Sequence, residues 1–137
     1  KPEVAPNHVA RIKELVREGF YDGLVFHRVI DGFMAQTGDP KGNGTGGSGQ
    51  NLDAEFSNER HLRGTLSMAR ARDPNSADSQ FFICFDDASH LNGQYTVWGQ
   101  VIDGMEYVDS IKKGDGNNGA IIGEPDKIIS MKIKADL

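Results

Sequence analysis

Arg28 is the side chain of this sequence whose surroundings most suggest chemistry. It lies in the apolar stretch 24–30, where strand alternation would put it on the same face as Phe26 and Ile30. A guanidinium is permanently charged and presents five donors in one plane, so it can stabilise a group that becomes a hydrogen-bond acceptor during a reaction. An arginine among apolar neighbours is also often paired, or extends its charged end to water. Spacing alone therefore leaves a structural role open.

The other reactive side chains form no recognisable catalytic or metal-binding pattern. The four histidines, which are far apart and lack metal-ligand spacing, are His8, His27, His61 and His90. Cys84 lies within an apolar strand and is expected to be an inert packing residue. The pair Asp86-Asp87 is better explained as a solvated turn than as two catalytic carboxylates. We therefore expect no covalent, metal-assisted or general acid–base chemistry, and no cofactor.

The segment 44–49 matches the glycine pattern of dinucleotide-binding loops only formally. That pattern binds a pyrophosphate when it follows a buried strand and opens a helix. Here Asp39-Pro40-Lys41 precedes the segment and a polar stretch follows it. We therefore interpret residues 38–51 as a glycine-rich loop.

The composition indicates one globular domain. The chain has 137 residues, 17 glycines, one cysteine and a formal net charge of −5 at pH 7. This length suits one domain with one core, and an acidic chain is a poor ligand for a phosphate backbone. A single cysteine excludes an internal disulfide, no apolar run approaches a membrane span, and the first residues lack an apolar signal core. We expect a cytoplasmic monomer that binds neither nucleic acid nor membranes.

Two helices are predicted near the two ends of the chain. Asn7 is predicted to be the first N-cap, Val9, Ile12, Leu15 and Val16 recur at helical spacing, and Gly19 would end that helix. The second helix is marked by apolar residues and ended by a glycine. These residues are Met105, Val108, Ile111 and Gly114.

Five strands are predicted, at 24–30, 62–69, 80–85, 95–101 and 127–134. In 80–85, alternation puts Phe81, Ile83 and Phe85 towards the core and Gln80, Phe82 and Cys84 on the opposite face. In 127–134 it puts Ile129, Met131 and Ile133 on one face. Short strands separated by turns favour an antiparallel barrel with helices at its ends, although periodicity does not distinguish a barrel from a sandwich.

Five blocks of the sequence resemble the cyclophilin family of peptidyl-prolyl cis-trans isomerases. They lie at 26–39 (FHRVIDGFMAQTGD), 42–47 (GNGTGG), 64–69 (GTLSMA), 79–83 (SQFFI) and 94–101 (QYTVWGQV). They occur in the order and spacing of the family, and together the resemblance covers essentially the whole chain. The compact form resembles the bacterial branch.

The resemblance implies a mainly β fold, a closed eight-stranded antiparallel barrel capped by two helices. Residues 1–137 would then form a single isomerase domain. The family's first two strands lie before the point where this chain starts, since residues 1–4 match the segment that leads into the first helix. We therefore expect those two strands to be missing from the 137 residues.

The resemblance also implies the roles of individual residues. Arg28 would be the catalytic arginine, and proline-containing polypeptides would be the substrates. The residues that would line the proline pocket are Phe33, Met34, Phe82 and Leu91. Those that would hold the substrate chain are Gln36, Gln80 and the backbone around Ala69 and Arg70. Those that would border a neighbouring pocket for the residue before the proline are Ala71, Gly44 and Thr45.

Two positions at the expected pocket depart from the family pattern. His90 replaces a tryptophan that helps to bind the cyclic peptide cyclosporin, so we expect weak cyclosporin binding with activity retained. Tyr95 replaces a pocket histidine and keeps a π face and a hydroxyl, so we expect little loss there. A proline-peptide binding module or chaperone with incidental turnover is the alternative function, and it would tolerate the loss of Arg28.

Overall fold

The computed structural model describes residues 1–137 and shows a five-stranded antiparallel sheet accompanied by two helices. The helices are α1, Pro6–Arg17, and α2, Met105–Asp109; the strands are β1, Arg28–Ile30, β2, Met34–Thr37, β3, Thr65–Met68, β4, Phe81–Cys84, and β5, Val97–Gln100. Short 3₁₀ turns lie at Ser89–Leu91 and Lys134–Asp136. The strand order is β1-β2-β4-β3-β5, so the sheet is open, with β1 and β5 at its edges. None of the helices is long and apolar enough to cross a membrane.

Helix α1 packs its apolar stripe on the sheet as predicted, but its first turn is capped differently. Asn7 lies inside the helix rather than at the N-cap, and Pro6 occupies the first turn, where a missing N–H costs nothing. The carboxylate of Glu55 accepts hydrogen bonds from the backbone N–H groups of Asn7 at 3.2 Å and His8 at 2.8 Å. Glu55, 47 positions from His8, thus accepts the hydrogen bonds that an N-cap side chain would accept. The N-cap predicted at Asn7 is wrong because this partner is distant in sequence.

Strand β4 separates two apolar clusters, as its alternation predicts. Phe81, Ile83 and, just beyond the strand, Phe85 belong to the main core together with α1. Phe82 and Cys84 belong to a second cluster on the other side of the sheet, which also contains Met34, Ala88 and Leu91. The second cluster is small and open on one side, and it forms the floor of the site described below.

The predicted strand at 127–134 is wrong. The chain makes only an isolated bridge between Val25 and Lys127, and its apolar side chains do not alternate. Ile129 is 86% exposed, whereas Ile128, Met131 and Ile133 are partly buried against the main core. Alternation in a sequence forms a strand only where a partner strand lies alongside, and here backbone hydrogen bonds join residues 126–128 alone to residues 23–26.

The first predicted strand is shorter than expected, and β2 was not predicted. Of 24–30 only Arg28–Ile30 forms a strand, and Phe26 lies in the main core rather than on the face of Arg28. Strand β2 follows after a turn at residues 31–33 and pairs with β1 so that Arg28 faces Gln36. The remaining strands lie within their predicted ranges, shortened at their ends.

Candidate active site

Strand register brings the central side chains of the site together. Arg28 on β1 pairs with Gln36 on β2, Gln36 pairs with Phe82 on β4, and Phe82 pairs with Ser67 on β3. Residues paired across a sheet project to the same face. One row across four strands thus carries a cation, an amide, an aromatic ring and a hydroxyl on the side of the second cluster.

A cavity of about 360 Å³ lies over this row. Ten of the residues expected at the site line it: Arg28, Phe33, Met34, Gln36, Ala69, Arg70, Phe82, His90, Leu91 and Tyr95. Its floor is formed by the apolar side chains of Met34, Phe82 and Leu91, all of which are buried. His90 lies at its exposed border, with its ring centre 5.4 Å from that of Phe33. Apolar walls with a few directed polar groups are typical of ligand sites.

Arg28 is held at the border of this cavity by two hydrogen bonds. Its Nε donates to the carbonyl oxygen of Asn118 at 2.8 Å, and its Nη1 donates to Oε1 of Gln36 at 3.0 Å. A guanidinium has five N–H donors, so three remain for a bound molecule. Arg28 makes no ion pair with a carboxylate, and its charge is therefore not neutralised by a protein partner.

A directed chain of amides connects Arg28 to the glycine-rich loop. Nε2 of Gln80 donates to the carbonyl oxygens of Gly44, at 3.1 Å, and Gly46, at 2.9 Å. This fixes the orientation of the Gln80 amide, so its Oε1 accepts from Nε2 of Gln36 at 2.9 Å. Oε1 of Gln36 is thereby turned towards Arg28. Each amide in the chain has one available orientation, and that orientation places an acceptor against the guanidinium.

A second cavity of about 280 Å³ lies next to the first and is mostly polar. The expected site residues outside the first cavity all line it: Gly44, Thr45, Ala71 and Gln80. Gln36, Ala69 and Arg70 line both cavities. The structure thus places every expected site residue at one of two adjoining cavities.

Two carboxylates shape the glycine-rich border of the second cavity. Asp39 is fully buried and accepts hydrogen bonds from the N–H groups of Lys41, at 2.8 Å, Asn43, at 3.0 Å, and Gly44, at 2.6 Å. Burial would raise the pKa of this carboxyl, but backbone N–H groups, including that of Gly46, hold the pKa below its ordinary value. The loop therefore encloses a carboxylate of the protein itself.

Asp78 holds the end of the same loop in the same way. It accepts from the N–H and the hydroxyl of Ser48, at 2.8 and 2.5 Å, and from the N–H of Gly49 at 3.0 Å. A Cβ on Gly46 would collide with Asp39, and one on Gly47 would collide with Asp78. The glycines at 46 and 47 are thus explained by close approach of carboxylates, not of a nucleotide.

His61 supports the floor of the first cavity and was not expected from the sequence. Its ring is stacked on Phe82 at 6.1 Å between centres and 18° between planes, and its Nε2 is 2.9 Å from Oγ of Ser67. Burial lowers the pKa of His61, which favours the neutral ring. Among the other histidines, burial also lowers the pKa of His27. No group of three or more His, Cys, Asp or Glu side chains is placed to hold a metal ion.

Cys84 lies beneath the same floor and is fully buried. Burial raises the pKa of its thiol to about 12, so the thiol stays protonated and acts as a small apolar side chain. Asp86 and Asp87 are exposed, as a solvated turn requires. The residues missed by sequence reasoning are His61, Asp39, Asp78 and Asn118; none lies in a pattern that indicates its distant partner.

Comparisons with known proteins agree on one family. The family model described as cyclophilin type peptidyl-prolyl cis-trans isomerase/CLD matches residues 1–133. A probable peptidyl-prolyl cis-trans isomerase of Brucella abortus is 57% identical, over 99% of this chain and 76% of its own length. A peptidyl-prolyl cis-trans isomerase of Synechococcus elongatus is 46% identical, over 96% of this chain and 84% of its own.

Two solved structures are similar over most of their length. A cyclophilin from Hirschia baltica superposes with a TM-score of 0.87 at 30% identity, covering 100% of this chain and 69% of that one. A cyclophilin type isomerase of Cryptosporidium parvum, crystallised in the presence of the dipeptide ala-pro, superposes with a TM-score of 0.79 at 35% identity. That alignment covers 88% of this chain and 81% of the other.

Proposed function

The chain belongs to the family of cyclophilin-type peptidyl-prolyl cis-trans isomerases, and we propose that it accelerates X-Pro rotation with Arg28 as the catalytic residue and the first cavity as the proline site. The single observation that carries this proposal is the position of Arg28. Its guanidinium is fixed at the border of an apolar cavity, with three N–H donors left for a bound peptide.

The reaction needs a hydrogen-bond donor more than it needs an acid, a base or a nucleophile. Rotation about the C–N bond of an X-Pro peptide passes through a twisted state in which amide resonance is lost, and uncatalysed exchange takes tens to hundreds of seconds. In that state the proline nitrogen regains a lone pair. A donor held beside this nitrogen therefore stabilises the transition state more than either ground state.

The apolar floor has a separate task, which is to hold the proline ring while the preceding carbonyl turns. Phe82, Met34 and Leu91 give a closed floor, and Phe33 and Tyr95 are partly buried walls. Contact with these side chains excludes water from the reacting bond, and the lower local dielectric strengthens the hydrogen bond from Arg28. The chain of amides through Gln36 and Gln80 keeps the guanidinium from turning towards the loop.

The second cavity is proposed to take the residue before the proline. It adjoins the first, shares Gln36, Ala69 and Arg70 with it, and lies under the loop that Asp39 and Asp78 hold. The N–H of Ala69 already donates to the carbonyl oxygen of Gln80 at 3.0 Å, so the carbonyl of Ala69 and the backbone groups of Arg70 would pair with the peptide backbone between the two cavities. The dipeptide in the Cryptosporidium parvum crystals has the residue types that such a pair of cavities would accept.

The experiment is an exchange measurement by NMR on a short peptide with one Ala-Pro bond. We expect the chain to accelerate cis-trans exchange at substoichiometric concentration. Resonances of Phe82 and Leu91 should shift on titration, whereas those of exposed Ile129 should not. Binding without acceleration would contradict the isomerase proposal and favour the peptide-binding module.

Several finer properties stay predictions. The structure has an open five-stranded sheet, and the closed eight-stranded barrel remains a proposal. Closure of the barrel would need further strands paired with the edge strands β1 and β5. Weak cyclosporin binding, a monomeric state, a cytoplasmic location and the lack of binding to nucleic acid or membranes are likewise proposals. Calorimetry, sedimentation and fractionation would test them directly.

A further inference from the structure

The side chain of Arg70 makes an unusual set of contacts between the two cavities. Arg70 follows β3 and lines both cavities. Its Nε and Nη2 both donate to the carbonyl oxygen of Gln94, at 3.1 and 2.8 Å. Its Nη1 donates to the carbonyl oxygens of Ala71, at 3.0 Å, and Arg72, at 3.2 Å. Four N–H groups of one guanidinium are thus occupied by the backbone of two segments.

These two segments belong to different cavities. Tyr95, which follows Gln94, forms a wall of the first cavity, and Ala71 lies at the border of the second. A guanidinium is planar and rigid, so its bonds fix the distance between the two segments as well as holding each of them. A lysine has the same charge but offers donors from one atom, and it cannot bond to both segments with this geometry.

Arg70 also orients the aromatic wall of the first cavity. Its guanidinium carbon lies 4.6 Å from the centre of the Tyr95 ring, within the range of a cation–π contact. Tyr95 in turn stands edge-on to Phe82, with 6.0 Å between ring centres and 80° between planes. Gln94 is also bonded to the pocket residue Leu91, since the N–H of Gln94 donates to the carbonyl oxygen of Leu91 at 3.0 Å. Displacement of Gln94 would therefore move both Tyr95 and Leu91.

We propose that Arg70 is a positioning residue that couples the two cavities through its side chain. It acts on substrate through Tyr95 and Ala71, by keeping the proline cavity and its neighbour at one separation. This inference rests on the proposed function of the two cavities, and it adds a side-chain role to the backbone role expected for this position. Arg28 and its partners share no atom with the contacts of Arg70.

The test compares Arg70→Ala and Arg70→Lys with the matched control Arg72→Ala. Arg72 is exposed and its side chain forms no hydrogen bond or ion pair. The control therefore removes the same charge from the same loop and keeps the backbone carbonyl of residue 72 that Arg70 binds. We expect Arg70→Ala to weaken binding of an Ala-Pro peptide by about tenfold, the effect of one or two net hydrogen bonds. The exchange rate of the bound peptide should stay within about threefold, because Arg28 is untouched.

Two further readouts separate positioning from a general loss of structure. Ring resonances of Tyr95 and Phe82 should shift in Arg70→Ala, while that of Trp98 in the main core should not. Parent and variant should also differ in how strongly they discriminate between Ala-Pro and Phe-Pro peptides, with the parent discriminating more. Arg70→Lys should regain only part of the affinity, and Arg72→Ala should match the parent.

Three outcomes would overturn the inference. They are full recovery of affinity by Arg70→Lys, equal behaviour of Arg70→Ala and Arg72→Ala, and a loss confined to the rate of the bound peptide. A parent that binds the peptide without accelerating exchange would instead contradict the proposed function. In that case the affinities of the three variants would still decide whether Arg70 couples the cavities.

Discussion

Replacement of Arg28 by alanine is the most direct test of the proposed chemistry. The substitution removes the three N–H donors that remain after the bonds to Asn118 and Gln36, and it leaves the apolar floor intact. Loss of one preorganised donor from an active site costs about 2.7–4 kcal/mol, or about 10²–10³ in rate. We expect a loss of this size in the exchange rate of the bound peptide, with peptide affinity changed by less than about tenfold.

The assay is the same NMR exchange measurement, with the bound-state rate and the dissociation constant fitted separately. Arg28→Lys retains the charge but loses the planar donors, so it should recover at most about one order of magnitude. Arg17→Ala is the matched control, since Arg17 makes an exposed ion pair with Asp136 at 2.8 Å, away from both cavities. Denaturation in urea should show a change of only about 1–2 kcal/mol for Arg28→Ala.

Two results would refute the reasoning. Parental exchange by Arg28→Ala would remove the guanidinium from the mechanism. The second result is a loss of peptide affinity with an unchanged exchange rate of the bound peptide. It would show that Arg28 binds the ground state and the transition state equally well. Either result would favour a peptide-binding module over a catalyst built around this side chain.

Three other predictions concern stability and ligand binding. Burial lowers the pKa values of His61 and His27 below the ordinary 6.5, so protonation of these rings favours the unfolded chain. The free energy of unfolding should therefore be highest above pH 6.5 and decrease as the pH falls below 6.5. Urea denaturation of His61→Gln should show a smaller decrease over the same pH range. Asp39→Asn should lower the free energy of unfolding by at least about 1.5–3 kcal/mol, the value of one hydrogen bond to a charged group. Asp31→Asn, at an exposed position, should change the free energy of unfolding little, and equal effects of the two substitutions would contradict the role of the loop carboxylate. His90→Trp should raise cyclosporin affinity by at least about tenfold in calorimetry, and no gain would show that the border residue does not limit that binding.

The faces of the strands could be predicted because they depend on local alternation. The division of 80–85 into a core face and a site face follows from the two-residue period, and the structure confirms it for Phe81 and Phe82. The same period failed at 127–134, because pairing depends on whether another strand lies alongside. The identity of the site residues came from the family resemblance, since spacing alone left Arg28 open to a structural role.

The supporting residues of the site could not be predicted because their partners are distant in sequence. Asn118 holds Arg28 through a backbone carbonyl 90 positions away, and a carbonyl carries no sequence signal. Glu55 caps α1 from outside the helix for the same reason. Gly46 and Gly47 were visible as a motif, but the motif does not say whether the anion they approach belongs to a ligand or to the protein.

The way Asp39 and Asp78 hold the loop has a consequence for how this enzyme can change over evolutionary time. Both carboxylates bind backbone N–H groups, which every residue except proline provides. The side chain at Lys41 can therefore be exchanged without loss of these bonds, whereas any side chain at Gly46 would collide with Asp39. The shape of the loop beside the second cavity can thus persist through changes of side chain at positions that contribute only backbone groups, while Asp39, Asp78 and the glycine at 46 cannot change without altering it.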